Sequence, residues 1–205
     1  MKTKKILKNI KILRECKFII AVLMIIMKYS ANSQSNTNGG KSAEIKFKIT
    51  IDRFLKDKTI PQLAKDLYQE KVKPTDNFGN IALIDSLNST GYARGFYFLV
   101  ITKTMKSSDG AYAEPLGIAA KEFVEKNTNE FVSYFINNPG LLCTDDLKNW
   151  ASFVYSEIQI SSEGSEQKAI NDFKIKIRKN CKRLSKRHIK KANEFIQLTT
   201  SLSTF

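Results

Sequence analysis

At 100° per residue, Ile170, Phe173, Ile177, Cys181, Leu184, His188, Ala192, Phe195 and Thr199 all fall within about 60° of one line. A stripe of that length constrains the fold more than any other feature of the chain. It describes a helix from about Glu166 to Thr200, about 50 Å long at 1.5 Å per residue. Ile175 and Ile189 fall outside the stripe, and a break near Ser185 is the competing reading.

Helical signals recur upstream. Thr59-Ile60-Pro61-Gln62 reads as a helix start, with the Thr hydroxyl capping the third amide and Pro in the first turn. Leu63 and Leu67 then share a face to about Gln69, and Lys73–Gly79 is a loop by composition. A short helix follows over Asn80–Asn88. Pro115 is placed in an opening turn ahead of Leu116, Ala119, Ala120 and Phe123. Asn127–Glu130 caps a helix that Asn138-Pro139-Gly140 stops. Thr144-Asp145-Asp146 opens another, with its acids against the positive helix end, and Leu147, Trp150, Phe153, Val154 and Ile158 form its inner side. Ser161–Ser165 closes the turn.

Two stretches are ambiguous. Ile45, Phe47, Ile49 and Ile51 alternate as in a strand, whereas Phe47, Ile51, Phe54 and Leu55 fit a helix over 43–57. The run Phe96–Ile101 is apolar on every side and suits a buried strand or a buried helix. Gly91 and Gly95, four apart, allow either a close helix approach or a turn. The expected class is all-α: an irregular bundle or a short stack of antiparallel helix pairs, ending in one long basic helix. The runner-up is α+β, with strands near 44–51 and 95–103.

The amino terminus argues for export. Phe18–Met27 holds ten apolar residues, preceded by seven Lys/Arg and followed by small polar residues. That order is the anatomy of a signal peptide, and ten residues are too few for a membrane-spanning helix, which needs about 20. Ala31 and Ser33 set the expected cleavage after residue 33. Residues 1–33 are thus read as a cleaved leader, 34–42 as a flexible lead-in and 43–205 as one helical domain, periplasmic or secreted, with no transmembrane helix in the mature chain.

The formal charge of +14 is unevenly spread. The leader carries +7, residues 34–167 carry −2, and residues 168–191 carry +10. Lys174, Arg178, Lys182, Lys186 and Lys190 recur every fourth residue, with Lys179, Arg183, Arg187 and Lys191 alongside. Like charges at that spacing oppose a helix by a few tenths of a kcal/mol per pair, about 1–2 kcal/mol for the ladder. A solvated face that aids solubility would explain such a ladder. The functional reading is docking onto an acidic protein or an anionic envelope component through Lys174, Arg178, Lys182, Arg183, Lys186, Arg187 and Lys190, with contact at a membrane surface as one form of it. Nucleic acid is the usual partner of such a segment, but an exported protein rarely meets it.

Cleavage removes Cys16 and leaves Cys143 and Cys181, an even count suited to an oxidising compartment. If the last two helices fold back about residue 163, the two cysteines come to the same level. A disulfide there would close a loop worth about 4 kcal/mol; two buried free thiols are the alternative.

Chemistry is sparsely advertised. His188, the one histidine, lies on the apolar stripe and reads as a satisfied core residue. Its spacing from the cysteines matches no compact zinc pattern. A Gly-rich phosphate loop, a nucleophile elbow and HExxH are all lacking, and no cofactor is implied. The residues favour an exported, non-enzymatic interaction protein. The alternative is an envelope hydrolase whose carboxylates are assembled from separate helices.

Overall fold

The computed structural model describes residues 48–88, 90–108 and 110–204. The leader at 1–33, the lead-in at 34–42 and residues 44–47 of the runner-up strand lie outside them. Among the described residues the chain forms nine α-helices and no strand. They are α1 (Ile51–Lys56), α2 (Gln62–Tyr68), α3 (Phe78–Asp85), α4 (Arg94–Thr104), α5 (Gly110–Lys126), α6 (Thr128–Asn137), α7 (Thr144–Ser161), α8 (Glu166–Cys181) and α9 (Lys186–Ser201). Short 3-10 turns follow α3 and α9. The class is all-α.

Both ambiguous stretches resolve in physical terms. The 95–103 run is helix α4, which buries Phe96, Phe98, Leu99, Val100, Ile101, Thr102 and Thr104. A helix covered on nearly every side needs no polar face, hence its lack of a clear period. Near the start of the described chain the helix begins only at Ile51. The Ile49 amide donates to the Asn138 Oδ1 at 2.8 Å, and Thr50 is extended. Gly95 supplies the close approach, since a Cβ there would lie 3.2 Å from Ile49 Cγ1 and 3.4 Å from Tyr134 Cε1. Gly91 has open space around it and belongs to the turn before α4.

Thr59 and Pro115 depart from their expected places at helix starts. Thr59 does not cap α2. Its amide and hydroxyl both donate to Asp57 Oδ1, at 2.8 and 2.7 Å, and Pro61 takes the cap position. The Tyr92 hydroxyl donates to the other Asp57 oxygen. Pro115 lies inside α5, which begins five residues earlier at Gly110 (φ +47°). A left-handed glycine starts this helix, and the proline leaves one backbone carbonyl of the preceding turn without its helical donor.

The largest correction concerns the carboxyl-terminal segment. The expected single helix is two, α8 and α9, separated by the turn 182–185. Lys182 N and Leu184 N close tight turns onto the carbonyls of Lys179 and Cys181. Ser185 then turns extended (φ −63°, ψ 157°) and starts α9. The apolar stripe persists because both pieces face one core: Ile170, Phe173, Ile177 and Cys181 from α8, and His188, Ala192, Phe195 and Thr199 from α9. The break also interrupts the four-residue repeat of like charge, which a continuous helix would have to bear.

Helix α7 lies chiefly against α5 and α9, while α2 lies on α4. At the centre, the Trp150 indole is fully buried and stacks on Phe98 at 4.9 Å between ring centroids. Phe131 meets Trp150 at 5.2 Å and Phe195 at 4.7 Å, both edge-on. Such pairs contribute about 0.5–1.5 kcal/mol each beyond area burial.

This arrangement removes the basis for the expected disulfide. Helix α9, not α8, occupies the long side of α7, and the contact between α7 and α8 is small. Cys143 stands exposed at the start of α7, beside Asp146. Cys181 is buried at the end of α8, where its neighbour Asn180 is bonded to the junction of α5 and α6. Both are free thiols.

Candidate functional site

The basic residues gather around the elbow between α8 and α9. Arg178 and Lys179 close α8, Lys182 and Arg183 occupy the turn, and Lys186, Arg187 and Lys190 open α9. All seven are exposed, whereas Lys174, one turn before Arg178, is half-buried.

The elbow is tied to the rest of the bundle from below. Asn180 Nδ2 donates to the Glu125 carbonyl at 2.7 Å and to Thr128 Oγ1 at 3.1 Å, tying the end of α8 to the end of α5. Lys176 reinforces that tie through an ion pair with Glu125 at 2.6 Å. Cys181 is buried, and burial pushes its thiol up to about 11. Arg187 is turned to structural use, donating to the Ile136 carbonyl at 3.2 Å near the end of α6. Lys191 pairs with Glu194 at 2.8 Å.

Among the described residues, no ion pair joins a carboxylate to Lys174, Arg178, Lys179, Lys182, Arg183, Lys186 or Lys190. Their electrostatic settings differ by helix. Arg178 and Lys179 lie at the negative end of α8, where cations are favoured. Lys186 and Arg187 occupy the positive end of α9, which has no acid in its first turn. The latter placement is unfavourable by about 0.3–1 kcal/mol per charge.

His188 is 5 % exposed and hydrogen-bonded through both ring nitrogens, Nδ1 to Ser185 Oγ at 2.7 Å and Nε2 to Ser133 Oγ at 3.0 Å. Ser133 spends its hydroxyl proton on the Asn129 carbonyl at 2.7 Å, so it accepts from His188 Nε2–H. In this arrangement the serine gives the imidazole no proton, and the pair lies in the core. It joins the elbow to α6 and is not a nucleophile with its base.

Other charged groups serve the fold. Arg94 pairs with Glu130 at 2.5 Å, and Glu130 also accepts from the buried Tyr134 hydroxyl. Burial, then Glu130, pushes the Tyr134 phenol far above its usual range. Asp146, 4 % exposed, accepts from the Cys143 amide at 2.8 Å and pairs with Lys106 at 2.9 Å. Burial raises its carboxyl, but the Cys143 amide and Lys106 outweigh that and hold it below the ordinary range.

No group of three or more His, Cys, Asp and Glu among the described residues is placed to hold a metal ion, and no described helix is long and apolar enough to cross a membrane. Sequence reasoning found the cations but missed their supports, Asn180 and Lys176, and the inward turn of Arg187. It also missed a cleft between α5 and α7 that holds Glu114 and Glu157. The one sequence signal for that cleft is small residues at helical spacing, Gly110, Ala113 and Gly117. Compared with protein-family models, curated proteins and solved structures, the chain matches none.

Proposed function

We propose that this is an exported, non-enzymatic interaction protein whose basic elbow docks onto an anionic partner of the cell envelope or exterior, an acidic protein or an anionic envelope component. The observation that carries the reading is a set of exposed cations around one buttressed turn, without ion-pair partners among the described residues. Two charges of that set, Lys186 and Arg187, open α9 against its helix dipole. The arrangement costs the isolated fold free energy that an anionic surface would return. Export rests on the basic, apolar, small-residue order of residues 1–33.

The test is a crosslinked pull-down from envelope extract at about 50 mM and about 500 mM salt. Screening at the higher concentration confines electrostatic attraction to a few ångströms, so capture of the partner is expected to fall steeply. Charge reversal at Lys182, Arg183 and Lys186 should abolish capture without disturbing the fold, because among the described residues none of the three makes a side-chain hydrogen bond or ion pair. Capture indifferent to both changes overturns the docking reading. Exported material that still carries Met1 overturns the leader.

A further inference from the structure

Helices α5 and α7 pack extensively along each other, yet their contact opens where α5 begins and α7 ends. The opening is a cleft of about 330 Å³, at the lower end of the range for small-molecule sites. It exists because α5 presents small side chains there. A Cβ at Gly117 would lie 3.5 Å from the Phe153 carbonyl and 3.9 Å from Glu157 Oε2, so the glycine leaves a notch beneath the Glu157 carboxylate. Ala113 continues the notch toward the start of α5. Phe153 and Ile160 form the apolar wall, and Ile160 is 70 % exposed.

Glu157 is half-buried in this apolar setting, and Glu114 lines the same cleft. Among the described residues Glu157 has no hydrogen bond or ion pair to its carboxylate. The nearby cation, Lys121, is drawn toward Glu125 at 3.9 Å. Burial first, with Glu114 adding to it against the attraction of Lys121, raises the Glu157 carboxyl above its ordinary range. Two carboxylates line one largely apolar cleft, one of them partly removed from water, and among the described residues neither is held in an ion pair.

We propose that the cleft binds a small organic amine, an ammonium carried on a short apolar body. Glu157 and Glu114 take the charge, and Phe153 and Ile160 cover the apolar part. The cleft shares no residue with the basic elbow and does not depend on that reading.

The experiment titrates the purified protein with 4-phenylbutylamine and, separately, with the uncharged analogue 4-phenylbutanol, following binding by calorimetry and by NMR shifts. The amine is expected to bind at least tenfold more tightly than the alcohol. Glu157→Gln, which keeps shape and removes charge, should erase most of that preference. Gly117→Leu, which fills the notch, should weaken both ligands. Glu114→Gln changes an exposed side chain, leaves the fold intact and should reduce the preference about threefold. Equal affinity for amine and alcohol overturns the proposal, as does an unchanged preference in folded Glu157→Gln and Glu114→Gln. Binding of a lysine-containing peptide without binding of the free amine overturns it too, and assigns the cleft to a protein partner.

Discussion

The Trp150 indole N–H donates to the Thr102 hydroxyl at 2.9 Å in the centre of the core. That hydroxyl spends its own proton on the Phe98 carbonyl at 2.7 Å. The accounting is complete, and Trp150 can be wholly buried without an orphaned donor.

Replacing Thr102 by Val keeps the shape and strands the indole N–H in an apolar interior. The expected loss is about 1–3 kcal/mol, the range for leaving a buried donor unmade. Thr102→Ser retains the hydroxyl and should recover the greater part. Urea unfolding of both variants decides the matter, and equal midpoints for Val and Ser would show that the bond contributes nothing.

Alkaline stability should depend on Tyr134. Its folded-state ionisation is raised, so the protein keeps full stability below the ordinary tyrosine value near 10 and loses it as pH climbs above. Tyr134→Phe forfeits the hydrogen bond to Glu130, at a cost of about 1–2 kcal/mol near pH 8. The gap to wild type should narrow by pH 11, because the variant has no phenol to ionise on unfolding. Denaturant midpoints at the two pH values are the measurement, and a gap that widens refutes the assignment.

Asp146 works in the opposite sense. Its folded-state value is lowered, so its contribution is present above the unfolded aspartate value near 3.9 and disappears as pH falls through the native one. Asp146→Asn should cost about 1–2 kcal/mol at pH 7, from the weakened helix start and the lost Lys106 pair. Melting curves of variant and wild type should converge near pH 2.

The two thiols of the helical region should differ sharply in reactivity. With Cys16 replaced by Ser, Ellman's reagent should label the exposed Cys143 at once. Cys181, buried and with its thiol raised to about 11, should react only on the timescale of unfolding. Peptide mapping without reductant that recovered Cys143 linked to Cys181 would refute the free-thiol arrangement.

The all-α class was legible because α5 and α7 carry a clear polar side, and the end of α6 and the start of α7 are marked by residues such as Asn138, Pro139 and Thr144. Helix α4 was not, because burial on nearly every side erases the difference between a period of two and one of 3.6. The elbow at 182–185 was legible only as the competing reading, a break near Ser185, and for another reason. Four residues of turn leave His188 facing the same core as Ile177, so the stripe keeps its phase across the break. The cysteine pairing then failed with it, since counting outward from residue 163 presumed that α8 runs back along α7. Of the site, the cations could be read directly. The inward turn of Arg187 and the meeting of Glu114 with Glu157 depend on helices far apart in the chain, and no local pattern records them.

The edge-on contact of Phe131 with Phe195 also sets a timetable. A growing polypeptide that has completed α6 still has one face of Phe131 uncovered, and covering it requires α7, α8 and the elbow to be synthesised first. A contact so distant in sequence must close a long loop, at an entropic cost, before it is made. The ring of Phe131 is therefore covered by Phe195 only once α9 has been synthesised.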